Sequence, residues 1–266
     1  MDGEQAEPTL VSGIEQFLAK QLEQRQTGRV LEFLPLDYLK DYPPRARPVA
    51  IEGILRIGDL AIITGSYDTF KSMFALELAY ALATGDDFLG RFQVKRRLRM
   101  GLLQAEIDPG SYAERLQVFV RTSELVICSD LHFDFDRLGE LAQAIDDLAL
   151  DGVVLDPLGP MWPAFARNGE AFSENVKTHV TPVLKALKSL HRTIILVHHD
   201  PSPSAGAPRK RGSGSTALMN DPDARIALDR NDPLVGVTVR NRLQSPAGTF
   251  YLKWVGRRLK FSHANP

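Results

Sequence analysis

The stretch Ala61-Ile62-Ile63-Thr64-Gly65-Ser66-Tyr67-Asp68-Thr69-Phe70-Lys71-Ser72 decides the fold. An apolar, β-branched run ends at a glycine. A short loop follows, and Lys71-Ser72 then opens a helical pattern. This is the layout of a phosphate-binding loop, whose usual form is G-x-x-x-x-G-K-[ST]. Phe70 stands where the second glycine is expected. That glycine permits a tight backbone course that a bulky side chain resists. Two readings of Gly65–Ser72 are therefore open at this point: a nucleotide loop, or an ordinary Lys-Ser at a helix start.

Working outward, strand-like and helix-like segments alternate. Leu60–Thr64 reads as a buried strand, and Lys71–Ala83 as a helix with apolar residues at 74, 75, 78, 81 and 82. Strands are expected at 99–105, 125–128, 152–156 and 193–197. Helices are expected at 112–119, 137–149 and 174–190, the last with Pro182 inside it as a source of a kink. Four further strand-like runs follow at 225–229, 236–240, 249–254 and 258–261. The alternation predicts an α/β fold, a mostly parallel sheet with helices on both faces. The late strands form an antiparallel extension of one edge. Ligands of such sheets sit at the carboxyl ends of the strands. Gly65–Ser72, Glu106, Asp156 and His198-His199 all lie at such ends, so they are expected to meet.

Residues 1–47 read as an arm with one amphipathic helix at about 12–22, and residues 48–266 as a single domain. The helix either folds onto its own domain or packs on a neighbouring subunit. The 266 residues are 44% hydrophobic, enough for a substantial core. A net charge of −1 gives no overall pull toward nucleic acid, so any such contact must be local. Cys128, the single cysteine, is expected to be a buried, reduced thiol, which excludes an intrachain disulfide framework and fits the cytoplasm. The acidic start is unlike a secretory signal, and no apolar run approaches the ~20 residues that span a bilayer.

The chemistry follows from the strand ends. Backbone N–H groups of residues 65–72 would hold phosphate oxygens, because donors at a helix start lack partners and the dipole favours an anion. Lys71 would reach the terminal phosphates, and Ser72 with Asp156 would hold Mg²⁺. Glu106 would activate a water, and His199 would sense the terminal phosphate. For each there is a plainer alternative: a turn-capping Asp, a surface Glu, a histidine hydrogen-bonded in the sheet. One cysteine and scattered histidines give no spacing for zinc.

Taken in order, these segments resemble a known family. The Gly65–Ser72 loop, strand–Glu106, Val153-Val154-Leu155-Asp156-Pro157, Ile194–His199 and Arg211-Gly212-Ser213-Gly214-Ser215 look like the RecA-like AAA-type P-loop ATPases. The branch most resembled is the RepA-type plasmid replicative helicases, related to the DnaB helicases. The resemblance covers roughly residues 48–262. It implies ATP and Mg²⁺ as cofactors, with Gly65, Ser66, Tyr67, Asp68, Thr69, Phe70, Lys71 and Ser72 around the nucleotide. Glu106 is then the catalytic base and Asp156 the second Mg²⁺ residue. Arg242, with Arg240 as companion, would reach into the neighbouring subunit's site. The resemblance also implies a homo-oligomeric, hexameric ring, single-stranded DNA in its channel, and a primase or initiator protein as partner. Two loops would face that channel, Gly159–Arg167 and Pro201–Ser215. Arg167, Arg209, Lys210 and Arg211 would neutralise DNA phosphates, and an aromatic of the first loop would stack on a base. Two other readings stay open: a non-motor adaptor with an altered loop, and a recombination or signalling ATPase. Phe70 is the departure from the pattern, and it favours the adaptor.

Overall fold

The computed structural model describes Leu36 and residues 47–166, 169–199, 216–242 and 246–263. The expected arm helix and the loop at 201–215 lie outside the described residues, as does Arg167. Among the described residues, a short antiparallel pair, β1 (Val49–Ile51) and β2 (Leu55–Arg56), precedes the main sheet. Then come β3 (Leu60–Gly65), α1 (Lys71–Thr84), β4 (Met100–Gln104), α2 (Pro109–Leu116), β5 (Leu125–Ser129), α3 (Leu138–Asp147) and β6 (Gly152–Asp156). They are followed by α4 (Lys177–Ser189), β7 (Thr193–His199), α5 (Thr216–Asn220), β8 (Ala224–Asn231), β9 (Leu234–Asn241), β10 (Thr249–Val255) and β11 (Arg258–Ser262). The strands and helices expected between residues 60 and 261 are all present, with ends shifted by a few residues. Helix α4 runs through Pro182.

Nine strands form one sheet in the order β11-β10-β9-β8-β3-β7-β6-β4-β5. From β5 to β8 neighbouring strands are parallel, and from β8 to β11 they are antiparallel. The central strands bury both faces. On β3, Ala61 and Ile63 join the core beneath α1 and α2, and Leu60 and Ile62 join the core beneath α3, α4 and α5. This is the period-2 alternation of a strand covered on both sides.

Helix α1 is buried nearly all round, because the 88–98 loop and β1–β2 cover the side that the sheet does not. Phe88 meets Phe74 edge-on at 5.2 Å. A bidentate pair ties α1 to the C-terminal hairpin: Arg258 donates to both oxygens of Glu77, at 2.8 and 2.5 Å. Glu77 raises the pKa of that guanidinium further, and the guanidinium also lies 4.5 Å from the centroid of Phe119.

The expectation for Cys128 is corrected. Its side chain is exposed, because β5 is the outer strand of the sheet and pairs only with β4. An apolar run of residues does not reveal that its strand lies at the edge of the sheet, where side chains are only partly covered. No helix among the described residues is long and apolar enough to cross a membrane.

Candidate nucleotide site

Strand β3 ends at Gly65, where the chain must pass close to β8. A Cβ on residue 65 would lie 2.6 Å from the backbone oxygen of Leu228 and 2.7 Å from Thr69 Oγ1, so only glycine fits without displacement. The loop then turns through two left-handed residues, Asp68 and Phe70. Phe70 is the residue preceding α1 and has φ 60° and ψ 26°. It adopts the backbone conformation for which glycine is usual. Its ring stacks on Trp254 at 4.8 Å and 19°, and the Arg230 guanidinium lies 5.7 Å from its centroid. Among the described residues no side chain caps α1. Its first-turn donors face a cavity of about 560 Å³.

Lys71, Ser72, Glu106 and His199 line that cavity together with the loop residues Tyr67, Asp68, Thr69 and Phe70. Lys71 is buried, and its Nζ donates to Ser66 O at 2.6 Å. Ser72 Oγ donates to Asp156 Oδ1 at 3.0 Å. Asp156 ends β6 and is buried, and burial pushes its carboxyl up to about 6 against the opposing Ser72 hydrogen bond. Ser72 and Asp156 present hard oxygen donors side by side, a set suited to Mg²⁺, which takes few protein ligands and completes its shell with phosphate and water. Among the described residues no group of three or more His, Cys, Asp or Glu side chains forms a metal cluster. Glu106, just beyond β4, is exposed at the mouth of the cavity.

The two histidines that end β7 separate by strand alternation. His198 is buried, with Nδ1 3.9 Å from Glu174, a carboxylate that also accepts from Trp162 Nε1 at 3.0 Å. His199 faces the cavity and stacks on Tyr67 at 5.0 Å. Neither of its ring nitrogens has a hydrogen-bond partner among the described residues. Burial first, then Lys71 and His198, lower its pKa to about 4, so the ring is neutral at pH 7.

Arg240 and Arg242 lie elsewhere. Strand β9 runs against β8, and Arg240 pairs with Arg225 near the start of β8. Both arginines therefore sit at the edge of the sheet opposite the loop. There Arg225 has its pKa lowered by burial and then by Arg240 and Arg242. Of the expected channel-loop aromatics, Trp162 is stacked on Phe172 at 5.0 Å and half-buried, whereas Phe165 is exposed. Arg167, Arg209, Lys210 and Arg211 lie outside the described residues.

The cavity holds residues that sequence reasoning missed: Ser111, Glu114 and Arg115 from α2, Arg230 from the end of β8, Trp254 from the end of β10 and Arg257 from the β10–β11 turn. A signal existed for the last three. If β8 continues the parallel set and β9 and β10 alternate, then the ends of β8 and β10 must fall on the loop side.

The AAA domain family model matches residues 24–205, beginning inside the segment expected as an arm. Many solved structures are similar, among them the following two. The RadB recombinase superposes with a TM-score of 0.52 at 17% identity, covering 77% of this chain and 91% of that one. A KaiC-like protein from the hyperthermophilic archaeon Pyrococcus horikoshii OT3 gives 0.55 at 14% identity, covering 80% and 93%. No match to a curated protein sequence was found. On the family match over most of its length, the chain belongs to the AAA domain family, and it has the RecA-like fold of P-loop ATPases.

Proposed function

We propose that this protein hydrolyses ATP at the loop edge of its sheet and couples hydrolysis to movement on single-stranded DNA as a ring-forming translocase of replicative type. The observation that carries the ATPase reading is the meeting of Lys71, Ser72, Glu106 and His199 in one cavity at the start of α1, with the buried Asp156 bonded to Ser72. Residues distant in sequence have little reason to converge there unless each acts on one ligand.

The roles follow from position. Loop N–H groups and Lys71 hold the phosphates, Lys71 exchanging its bond to Ser66 O for phosphate oxygens. Mg²⁺, when bound, neutralises charge developing between the terminal phosphates. Ser72 and Asp156 are the residues that would hold it. Glu106 accepts a proton from the attacking water, and neutral His199 hydrogen-bonds the terminal phosphate or that water. The location of Arg240 and Arg242 at the opposite edge supports their acting on a neighbouring subunit, which makes hydrolysis depend on assembly. A hexamer, the DNA-facing loops with Arg167, Arg209, Lys210 and Arg211, a primase or initiator partner, and a cytoplasmic setting complete the proposal.

A recombination-type ATPase is the second reading, favoured by the likeness of the fold to the RadB recombinase. The left-handed conformation of Phe70, at the position where glycine is expected, weighs against the adaptor reading. ATP turnover measured over a range of protein concentrations, with and without single-stranded DNA, tests the proposal. Turnover per chain rising with concentration and with DNA is expected. Full turnover in Lys71→Ala would overturn the mechanism. DNA-stimulated turnover without unwinding of a forked duplex would favour the recombination-type reading.

A further inference from the structure

Phe70 occupies a left-handed conformation that costs a residue with a Cβ free energy, yet among the described residues no hydrogen bond from a side chain caps the helix it precedes. Something outside the loop must hold it. The ring of Phe70 lies flat on Trp254, 4.8 Å away, and Arg230 approaches the same ring. Trp254 sits at the end of β10, beside the turn into β11, and remains 43% exposed. Among the described residues, this exposed tryptophan near a hairpin tip has one close aromatic contact, and that contact is with the phosphate loop. The hairpin is itself fixed to α1 by the Glu77–Arg258 pair, two turns along the helix from Phe70. Arg230 adds a second tie, donating to Asp68 O at 3.4 Å and to Asp232 at 2.8 Å. The loop is thus braced at both its left-handed residues by strands from the C-terminal part of the sheet.

We propose that Trp254 is a positioning residue, holding Phe70 in the left-handed conformation so that the Ser66–Ser72 loop is preformed for phosphate. In most loops of this type glycine reaches that conformation without help. Here a bulky residue does so because an aromatic partner offsets the backbone cost; a stacked pair and the left-handed penalty are of similar size. The consequence is that the C-terminal hairpin, remote in sequence, sets nucleotide affinity. The affinity part rests on the nucleotide-site reading above; the loop-holding part does not.

The test uses the full chain and four variants: Trp254→Ala, Trp254→Phe, Phe70→Gly, and Phe70→Gly with Trp254→Ala. Binding of Mg²⁺-ADP is measured by calorimetry, and amide hydrogen exchange of residues 66–72 is measured without nucleotide. Trp254→Ala is expected to weaken binding roughly tenfold and to speed exchange of the loop by a similar factor. Trp254→Phe is expected to restore both. In the Phe70→Gly background, Trp254→Ala is expected to change neither. Equal losses in both backgrounds would overturn the proposal, because Trp254 would then act independently of Phe70. No change of loop exchange in Trp254→Ala would also overturn it. If no form binds Mg²⁺-ADP, the nucleotide reading fails, and the exchange data still decide whether Trp254 holds the loop.

Discussion

Ser72 Oγ lies 3.0 Å from Asp156 Oδ1, joining the first turn of α1 to the end of β6 across 84 residues of sequence. Neither residue is needed there for packing alone, since both have oxygen atoms where an apolar side chain would serve. Asp156→Asn and Ser72→Ala are each expected to lower Mg²⁺-dependent ATP turnover by about 10²-fold or more. Nucleotide binding without metal should change far less. Steady-state turnover over a Mg²⁺ titration, beside calorimetry in chelator, checks both parts.

Glu106 is exposed at the cavity mouth, where it can reach a water without supporting the fold. Glu106→Gln is expected to reduce turnover by about 10²–10⁴-fold and to leave thermal stability and Mg²⁺-ATP affinity near wild type. Single-turnover assays with prebound nucleotide separate the chemical step from binding.

His199 is neutral in the folded protein down to about pH 4, whereas the same ring in the unfolded chain takes a proton near pH 6.5. The folded state therefore binds fewer protons between these values. The contribution of His199 is fully present above pH 6.5 and is lost as pH falls toward 4. Urea unfolding at pH 7.5 and pH 4.5 should show a smaller acid loss in His199→Gln than in wild type. His199 itself should impose no titration on turnover between pH 6 and 8.

The Glu77–Arg258 pair is buried on the glutamate side and shielded by Phe119 and Tyr80 on the arginine side. Removing one partner strands a charge. Glu77→Ala is expected to cost about 3 kcal/mol, and the double replacement Glu77→Leu with Arg258→Met to recover most of it. Chemical denaturation of the three variants measures this.

Arg242 is expected to act only on a neighbour. Arg242→Ala and Lys71→Ala should each abolish turnover alone, and an equimolar mixture should regain a fraction of it through interfaces that carry both intact residues. A mixture as inactive as its components would place Arg242 outside the reaction.

The order of strands and helices was legible because each carries its own local signal: apolar period 2 or 3.6, with Gly or Pro at the breaks. Lys71, Ser72, Asp156 and Glu106 could be assigned to one edge for the same reason, since parallel strands deliver all their ends to one side. The split between His198 and His199 was partly legible, because adjacent strand residues must face opposite ways, but which of them faces the cavity depends on the register with β3.

Tertiary structure alone decided the rest. It fixed which partner each late strand takes, and only with those partners known does the alternation put Arg230, Trp254 and Arg257 beside the loop and Arg240 and Arg242 at the far edge. It left Cys128 exposed by making β5 the outer strand. It also settled the conformation of Gly65–Ser72. By sequence, Phe70 was a fault in the phosphate loop. In the fold it is a left-handed residue held by Trp254, because a stacking partner from a distant hairpin compensates for the missing glycine.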